Sequence, residues 1–244
     1  MKVTDTVWKN AQLAQTYLEG VRGAIPLANE QLEMILRIIG QAKSEVKKVL
    51  DLGCGNGILG RTILTQYPQA KVVFLDFSEA MMSALKEQVP DSINQSEFIL
   101  EDFGQKQWVN TVQDWGQFDV IISGFAIHHQ PDSRKQELYQ EIYNLLTPGG
   151  IFMNLEHVQS ASHFGQSLFN EMFIDSLYNY HQQQGKSQSR EEIAQQYYNR
   201  PDKEANILAP VELQCQWLRE IGFLDVDCFL KVLELALFGG IKPN

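Results

Sequence analysis

The chain has 244 residues, of which 44% are hydrophobic and 10% aromatic, so it can bury a core of ordinary globular size. Its formal net charge of −10 argues against a broad nucleic-acid surface, and no apolar run is long enough to cross a bilayer. The three cysteines are odd in number and have neither metal nor redox spacing, so we expect a reduced, cytoplasmic protein with no metal site.

The first 45 residues contain two stretches of helical spacing. Apolar side chains recur three or four apart over residues 7–21 and again over residues 27–39. The sequence therefore predicts two helices before the first strand, which either form a lid over a ligand cleft or only cover the sheet edge. Tyr17 and Arg22 are the polar residues of this segment that we predict to reach a ligand.

A glycine-rich turn follows the first predicted strand. Residues 46–52 are predicted to form a buried strand and residues 58–67 a helix, with Gly53, Gly55 and Gly57 between them. Glycines at such a junction let backbone N–H groups approach a ligand that a Cβ would block. The pattern alone also fits a dinucleotide site, because two of these glycines and the next one along the helix spell G-x-G-x-x-G.

Asp51 distinguishes between the two kinds of ligand. It ends the strand two residues before the first glycine, where a carboxylate would repel a pyrophosphate but attract a ligand with ammonium and sulfonium groups. The run L-D-L-G-C-G-N-G resembles the first motif of the class I S-adenosylmethionine (SAM)-dependent methyltransferases. The resemblance implies contact between SAM and the turn that comprises Gly53, Cys54, Gly55, Asn56 and Gly57.

A second acidic residue ends the next predicted strand. Asp76 follows residues 71–75 and lies 19 residues after Gly57, the separation at which an acid reaches the ribose hydroxyls of a nucleotide. A carboxylate can accept from both hydroxyls at once. Phe77 and Met81 follow this acid, and we predict that they contact the adenine ring.

The third predicted strand, residues 96–100, is also followed by an acid. The family resemblance implies that Asp102 accepts a hydrogen bond from the adenine amino group and that the backbone of Phe103 contacts the ring. SAM, or S-adenosylhomocysteine (SAH) as the bound product, is therefore the predicted cofactor.

The fourth predicted strand leads to the candidate catalytic residues. This strand is predicted over residues 118–123. Ser123 ends it, Gly124 and Phe125 follow, and all three are predicted to contact the cofactor; His128 and His129 come next as candidate general bases. Adjacent histidines are expected to point in different directions, which disfavours a shared metal ion. Glu156 and His157, at the tip of the fifth strand, are the second candidates for acid–base chemistry.

The motifs of residues 46–157 fix the predicted fold. A helix over residues 131–146, a Pro-Gly-Gly turn at residues 148–150 and a fifth strand over residues 151–155 are again typical of the family. The resemblance implies one α/β domain over residues 1–244, with a Rossmann-like sheet of seven strands. In that fold the last strand runs antiparallel and inserts between the fifth and sixth strands.

Residues 158–209 depart from a minimal methyltransferase. Two helical stretches there carry aromatic and aliphatic side chains, and acidic residues outnumber basic ones, which argues against an RNA-binding arm. We interpret the segment as a helical cap inserted after the fifth strand that helps to form a substrate pocket. The alternative is a helical hairpin that forms a homodimer.

The sequence predicts a SAM-dependent methyltransferase with a small-molecule acceptor that no residue identifies. Residues 165–170 and 218–223 also resemble the carboxy-SAM synthases, whose modified SAM is used in tRNA uridine modification, but Ala28 and Gly124 depart from that pattern. Carboxy-SAM synthesis is therefore the first alternative. A non-catalytic SAM-binding protein and an NAD-linked dehydrogenase are the other two.

Overall fold

The computed structural model describes Trp8, residues 22–88 and residues 96–244. The strands are β1 Lys48–Leu52, β2 Lys71–Asp76, β3 Ser96–Leu100, β4 Phe118–Gly124, β5 Leu146–His157, β6 Leu224–Val232 and β7 Leu235–Ile241. The helices are α1 Ala28–Ala42, α2 Ile58–Gln66, α3 Glu79–Gln88, α4 Trp108–Thr111, α5 Asp132–Leu145, α6 His163–Gln183, α7 Arg190–Tyr198 and α8 Val211–Ile221. No helix in these ranges is both long and apolar enough to span a membrane.

The seven strands form one sheet in the order β3-β2-β1-β4-β5-β7-β6. The first five pair in parallel, and β7 runs antiparallel to both β5 and β6. Consecutive residues of β1 serve opposite faces, since Val49 packs in one core cluster and Leu50 in the other. Helices cover both faces, as parallel strands require. The predicted class I methyltransferase sheet, with its inserted antiparallel strand, is confirmed.

The fifth strand begins earlier than predicted. Residues 148–150 were expected to form a turn, but β5 already starts at Leu146 and shifts register against β4. The C-terminal backbone explains the difference, because Gly149 N–H donates to the carbonyl of Lys242 and Lys242 N–H donates to that of Gly150. This extra pairing draws the Pro-Gly-Gly segment into the ladder as a bulged strand.

Helices α6 and α7 occupy the segment predicted to be a cap. They pack on Ile25 and on Leu235, the first residue of β7, so they lie over the edge where the parallel strands end. A capping box of Ser189 and Glu192 starts α7 and so fixes the break between the two helices. Homodimer formation through the cap stays a prediction.

Gly239 is the glycine at which we expect a substitution to cost most stability. A Cβ there would collide with the backbone carbonyl oxygen of Phe152 in the neighbouring strand β5, which cannot move away without breaking the ladder. We expect Gly239→Ala to lower the free energy of unfolding by about 2–4 kcal/mol. Chemical denaturation measures this, with Gly40→Ala in α1 as the control.

The closest atom to a Cβ added at Gly40 is the side-chain amide nitrogen of Gln66, at the end of a flexible side chain. Gly40→Ala should therefore leave stability unchanged or raise it by up to about 1 kcal/mol, since alanine has the higher helix propensity. Equal destabilisation by the two variants would contradict the assigned packing of β7 on β5.

Candidate active site

A cleft opens where β1, β2 and β4 end, at the position where open α/β sheets bind ligands. Of the residues predicted to contact the cofactor, those that line it are Asp51, Gly53, Cys54, Gly55, Asn56, Asp76, Phe77, Met81, Phe103, Gly124 and Phe125. We call this the donor cleft. Tyr17 lies outside the described residues, and for Arg22 only the backbone is described.

The three glycines of the turn have different tasks. All three have positive φ, at 66° for Gly53, 54° for Gly55 and 72° for Gly57. A Cβ on Gly53 or Gly57 would collide with protein side chains, whereas the nearest atom to a Cβ on Gly55 is the sulfur of Met81, 3.9 Å away. Gly55 therefore leaves room on the cleft side for a ligand, and Gly57 serves the packing of α2 instead.

Two buried carboxylates hold the turn in place. Asp51 is completely buried, and its Oδ2 accepts from the N–H of Gly60 at 2.8 Å. Asp76 accepts from the N–H of Gly55 through Oδ2 and from that of Ser78 through Oδ1, both at 2.8 Å. Burial raises the pKa of Asp76, and the backbone hydrogen bonds oppose that rise. The side chain of Asp76 is thus held in one orientation before a ligand binds.

Two side chains predicted to contact the cofactor, those of Asp102 and Ser123, do not line the donor cleft. The Oδ1 of Asp102 accepts from the N–H of Gly104 at 2.8 Å, and its side chain does not line the cleft. Ser123 is fully buried and donates to the carbonyl of Leu52 at 2.7 Å, because it lies between β4 and β1. Cys54 does line the cleft, but burial raises the pKa of its thiol, which suits a backbone contact and not a nucleophile.

A second and larger cavity of about 930 Å³ lies beneath the cap. Its walls include aromatic side chains of α6 and α7, four of the five histidines and several amides; we call it the cap cavity. Trp8, Phe125 and His129 line both this cavity and the donor cleft, so the two spaces meet at these three side chains. Trp8 is held by its carbonyl, which accepts from the hydroxyl of Ser78 at 3.0 Å.

Trp8 and Ser78 also line the donor cleft and were not predicted from the sequence. Ser78 carried a detectable signal, because a serine after a strand and before a helix is a typical N-cap. Trp8 carried none, since its contact with Ser78 joins residues 70 apart in sequence and depends on tertiary packing.

The two candidate histidines face the same cavity, which corrects the expectation that they diverge. A 3₁₀ turn over Ile127–His129 carries them, and their ring centroids are 3.9 Å apart at an angle of 46°. Both side chains are more than nine-tenths buried. Among the described residues no group of three or more His, Cys, Asp or Glu side chains is arranged to hold a metal ion.

His128 forms a pair with Glu156, one of the second candidates. Its Nδ1 lies 2.5 Å from Glu156 Oε1, and the same carboxylate accepts the backbone N–H groups of His128 and His157, both at 3.0 Å. Burial raises the pKa of Glu156 to about 7 and lowers the pKa of His128 well below its usual value. The pair therefore shares a single proton near neutral pH.

His129 is held as a neutral imidazole. Its Nδ1 lies 3.2 Å from the carbonyl oxygen of Ala205, which can only accept, so Nδ1 carries the proton. Burial lowers the pKa of His129 well below its usual value. The remaining nitrogen, Nε2, therefore has a free lone pair in a side chain that borders both spaces.

The lowered pKa of His129 makes stability depend on pH. In the unfolded chain the imidazole titrates near pH 6.5, so below that pH the unfolded state binds a proton that the folded state does not. The free energy of unfolding is therefore unaffected by this group above about pH 6.5 and decreases as the pH falls below it. We expect a loss of up to about 1.4 kcal/mol per pH unit. In His129→Asn, the free energy of unfolding should depend less steeply on pH, because this titrating group is gone.

Urea unfolding at about pH 5.5 and 7.5 compares wild type with this variant. The His128–Glu156 pair should add little to the difference, because over about pH 4.5–6.5 the pair holds one proton in the folded and in the unfolded chain. Equal pH slopes in wild type and variant would contradict the neutral, buried state of His129.

The chain is similar to known methyltransferases and to a carboxy-SAM synthase. A family model described as a methyltransferase domain matches residues 50–152. A carboxy-S-adenosyl-L-methionine synthase from Nautilia profundicola is 24% identical over 235 residues, covering 95% of this chain and 92% of that protein. This similarity therefore extends beyond the donor cleft into the cap.

Solved structures share the fold at low identity. An O-methyltransferase family protein from Burkholderia thailandensis aligns with a TM-score of 0.62 and 14% identity, over 98% of this chain and 61% of that one. Magnesium protoporphyrin IX methyltransferase from Synechocystis PCC 6803, solved with bound SAH, aligns with a TM-score of 0.56 and 13% identity, over 87% of this chain and 82% of that one. These structures support the class I fold.

Proposed function

Because the chain carries a SAM-dependent methyltransferase domain of class I, we propose that it methylates a small molecule bound in the cap cavity. One observation carries the proposal. Trp8, Phe125 and His129 line the donor cleft and the cap cavity together, so a ligand in one space can contact a ligand in the other. A cavity of about 930 Å³ falls within the size range of small-molecule sites.

The donor cleft has the features that SAM requires. Asp76, fixed by two backbone N–H groups, retains lone pairs for the ribose hydroxyls, and the open side of Gly55 admits a ligand close to the backbone. Asp51 lines the cleft at the end of β1, where its carboxylate would attract the ammonium group of bound SAM. When bound, SAM supplies a methyl group made electrophilic by the adjoining sulfonium.

His129 is the residue we assign to proton removal from the acceptor. A protonated amine must lose a proton before its nitrogen can attack the methyl group, and a hydroxyl must lose one as it attacks. A neutral imidazole can accept either proton through Nε2. The hydrogen bond from Nδ1 to Ala205 holds the ring in this tautomer. His128, in ring contact and paired with Glu156, can take up or return a proton next to it.

Transfer of an isotope-labelled methyl group tests the proposal. The protein is incubated with methyl-deuterated SAM and a desalted small-molecule extract of cells, and products are identified by mass spectrometry. We expect at least one small molecule to gain the label, and we expect Asp76→Ala to abolish its formation. Turnover of SAM without any labelled product, or no turnover at all, would contradict the proposal.

Carboxy-SAM synthesis is the second candidate. It is favoured by the similarity to the Nautilia enzyme, which extends over 95% of the chain. Arg200 also lines the cap cavity, where its guanidinium lies 4.2 Å from the ring centroid of Tyr197 and can pair with a carboxylate. This activity would leave a carboxylate on the SAM-derived product, whereas methyl transfer leaves SAH.

A further inference from the structure

The cap cavity contains a second imidazole–carboxylate pair that the proposed methyl transfer does not use. His157 lines the cavity, and its Nε2 lies 2.8 Å from Glu234 Oε2. Because a carboxylate accepts hydrogen bonds, Nε2 is the nitrogen that donates in this pair, and Nδ1 is the nitrogen left to meet a ligand. Glu234 thus orients the ring of His157 as Ala205 orients that of His129.

This pair has unused capacity to accept hydrogen bonds. Glu234 is only 2% exposed, and its second oxygen, Oε1, has no hydrogen-bond partner among the described residues. A buried acceptor atom without a donor is uncommon and costly, so the pair is more than a saturated packing contact.

The position of the pair is fixed by the sheet. Glu234 lies in the short turn between β6 and β7, and its carbonyl accepts from the N–H of Val158 at 2.8 Å, which ties the turn to the end of β5. The His157 ring lies 5.8 Å from that of His128 and 5.2 Å from that of Phe169. The second pair therefore lies beside the candidate catalytic histidines and at one end of a row of aromatic side chains, the aromatic wall, that begins with Phe169.

That wall indicates the shape of the ligand body. From Phe169 the ring contacts continue to Phe173 at 5.6 Å and on to Tyr197 at 5.6 Å, all three lining the cavity. A row of aromatic faces favours a planar, largely apolar body that can stack against it.

We propose that His157, positioned by Glu234, binds a second hydrogen-bond donor of the methyl acceptor, a hydroxyl or an amino group separate from the atom that is methylated. The acceptor is then an aromatic compound with at least two such groups. One lies at His129 for transfer, and the other is held at His157. This inference rests on the proposed function, because it assumes that the cap cavity holds the acceptor.

Binding of three matched probes in the presence of saturating SAH tests the inference. They are 2-naphthol, which has one donor group, and 2,7-dihydroxynaphthalene and 7-amino-2-naphthol, which have two. We expect either two-donor probe to bind about tenfold or more tightly than 2-naphthol, as measured by calorimetry. The tighter of the two then identifies the group held at His157 as a hydroxyl or an amine.

Two variants locate the effect. Glu234→Gln should remove most of the preference for the two-donor probes, while Glu204→Gln, which removes the same charge from an exposed site in the cap, should keep it. Thermal unfolding checks that both variants fold. If Glu234→Gln does not fold, the inference is judged by whether the wild-type protein prefers the two-donor probes to 2-naphthol. Equal affinities for the three probes, no binding of any, or an unchanged preference in a folded Glu234→Gln would overturn the inference.

The two proposals fail in different ways. A chain that binds SAH and transfers the methyl label but shows no preference among the probes rejects only the His157 subsite. A chain that does not bind SAH rejects the proposed function and this inference with it.

Discussion

Replacing Asp76 with alanine is expected to weaken SAM binding by about two orders of magnitude. The side chain is buried at the end of β2, and both of its oxygens are oriented by backbone N–H groups of Gly55 and Ser78. A charged acceptor that makes two hydrogen bonds to the ribose contributes about 1.5–3 kcal/mol for each. The substitution also removes the acceptor for the N–H of Gly55, so the glycine turn that contacts the ligand is held less firmly.

Calorimetric titration with SAM and with SAH measures this loss. Asp119→Ala is a matched control, because Asp119 also accepts two backbone N–H groups, from Lys47 at 2.8 Å and Lys48 at 3.1 Å, at the opposite end of the sheet. Both variants should lose stability, and only Asp76→Ala should lose SAM affinity. Similar SAM affinities in the two variants would show that Asp76 serves only to hold the turn.

Replacing His129 with asparagine is expected to slow methyl transfer by about 10²–10⁴-fold, the usual contribution of a general base. The asparagine amide can still donate to the carbonyl of Ala205, as Nδ1 does, but it has nothing in place of Nε2. SAM affinity should therefore change little. Single-turnover measurements on the product found by label transfer separate the chemical step from binding.

The pH profile and a control histidine sharpen this prediction. Because burial lowers the pKa of His129, the wild-type rate should be constant above about pH 6.5 and fall only in more acidic solution. His163→Asn alters an exposed histidine at the start of α6 that does not line the cap cavity, and it should not change the rate. An undiminished rate in His129→Asn would exclude it as the base.

The sheet and the donor cleft could be predicted because their signals are local. Buried parallel strands are continuous apolar runs, and the glycine turn follows β1 within a few residues of Asp51. The separate roles of the glycines in the turn could not be predicted from the sequence. That Gly57 packs against Leu85 and Phe74, while Gly55 faces the ligand, depends on where α3 and β2 lie in three dimensions.

The acid–base groups of the cap cavity could be predicted only as candidates. His128 and Glu156 are 28 residues apart in sequence, and His157 and Glu234 are 77 apart, so their pairing depends on strand order and on the hairpin between β6 and β7. The expectation that adjacent histidines diverge was wrong, because a 3₁₀ turn and the surrounding cap bring both rings to one cavity. Such contacts carry no periodic signal.

Mass spectrometry of the ligand that remains bound after gentle purification tests the central claim most directly. If the donor cleft holds the methyl donor, the released small molecule is SAM or SAH, and Asp76→Ala releases neither. A SAM derivative bearing an additional carboxylate would favour carboxy-SAM synthesis over methyl transfer. A nicotinamide dinucleotide in place of these compounds would contradict the account.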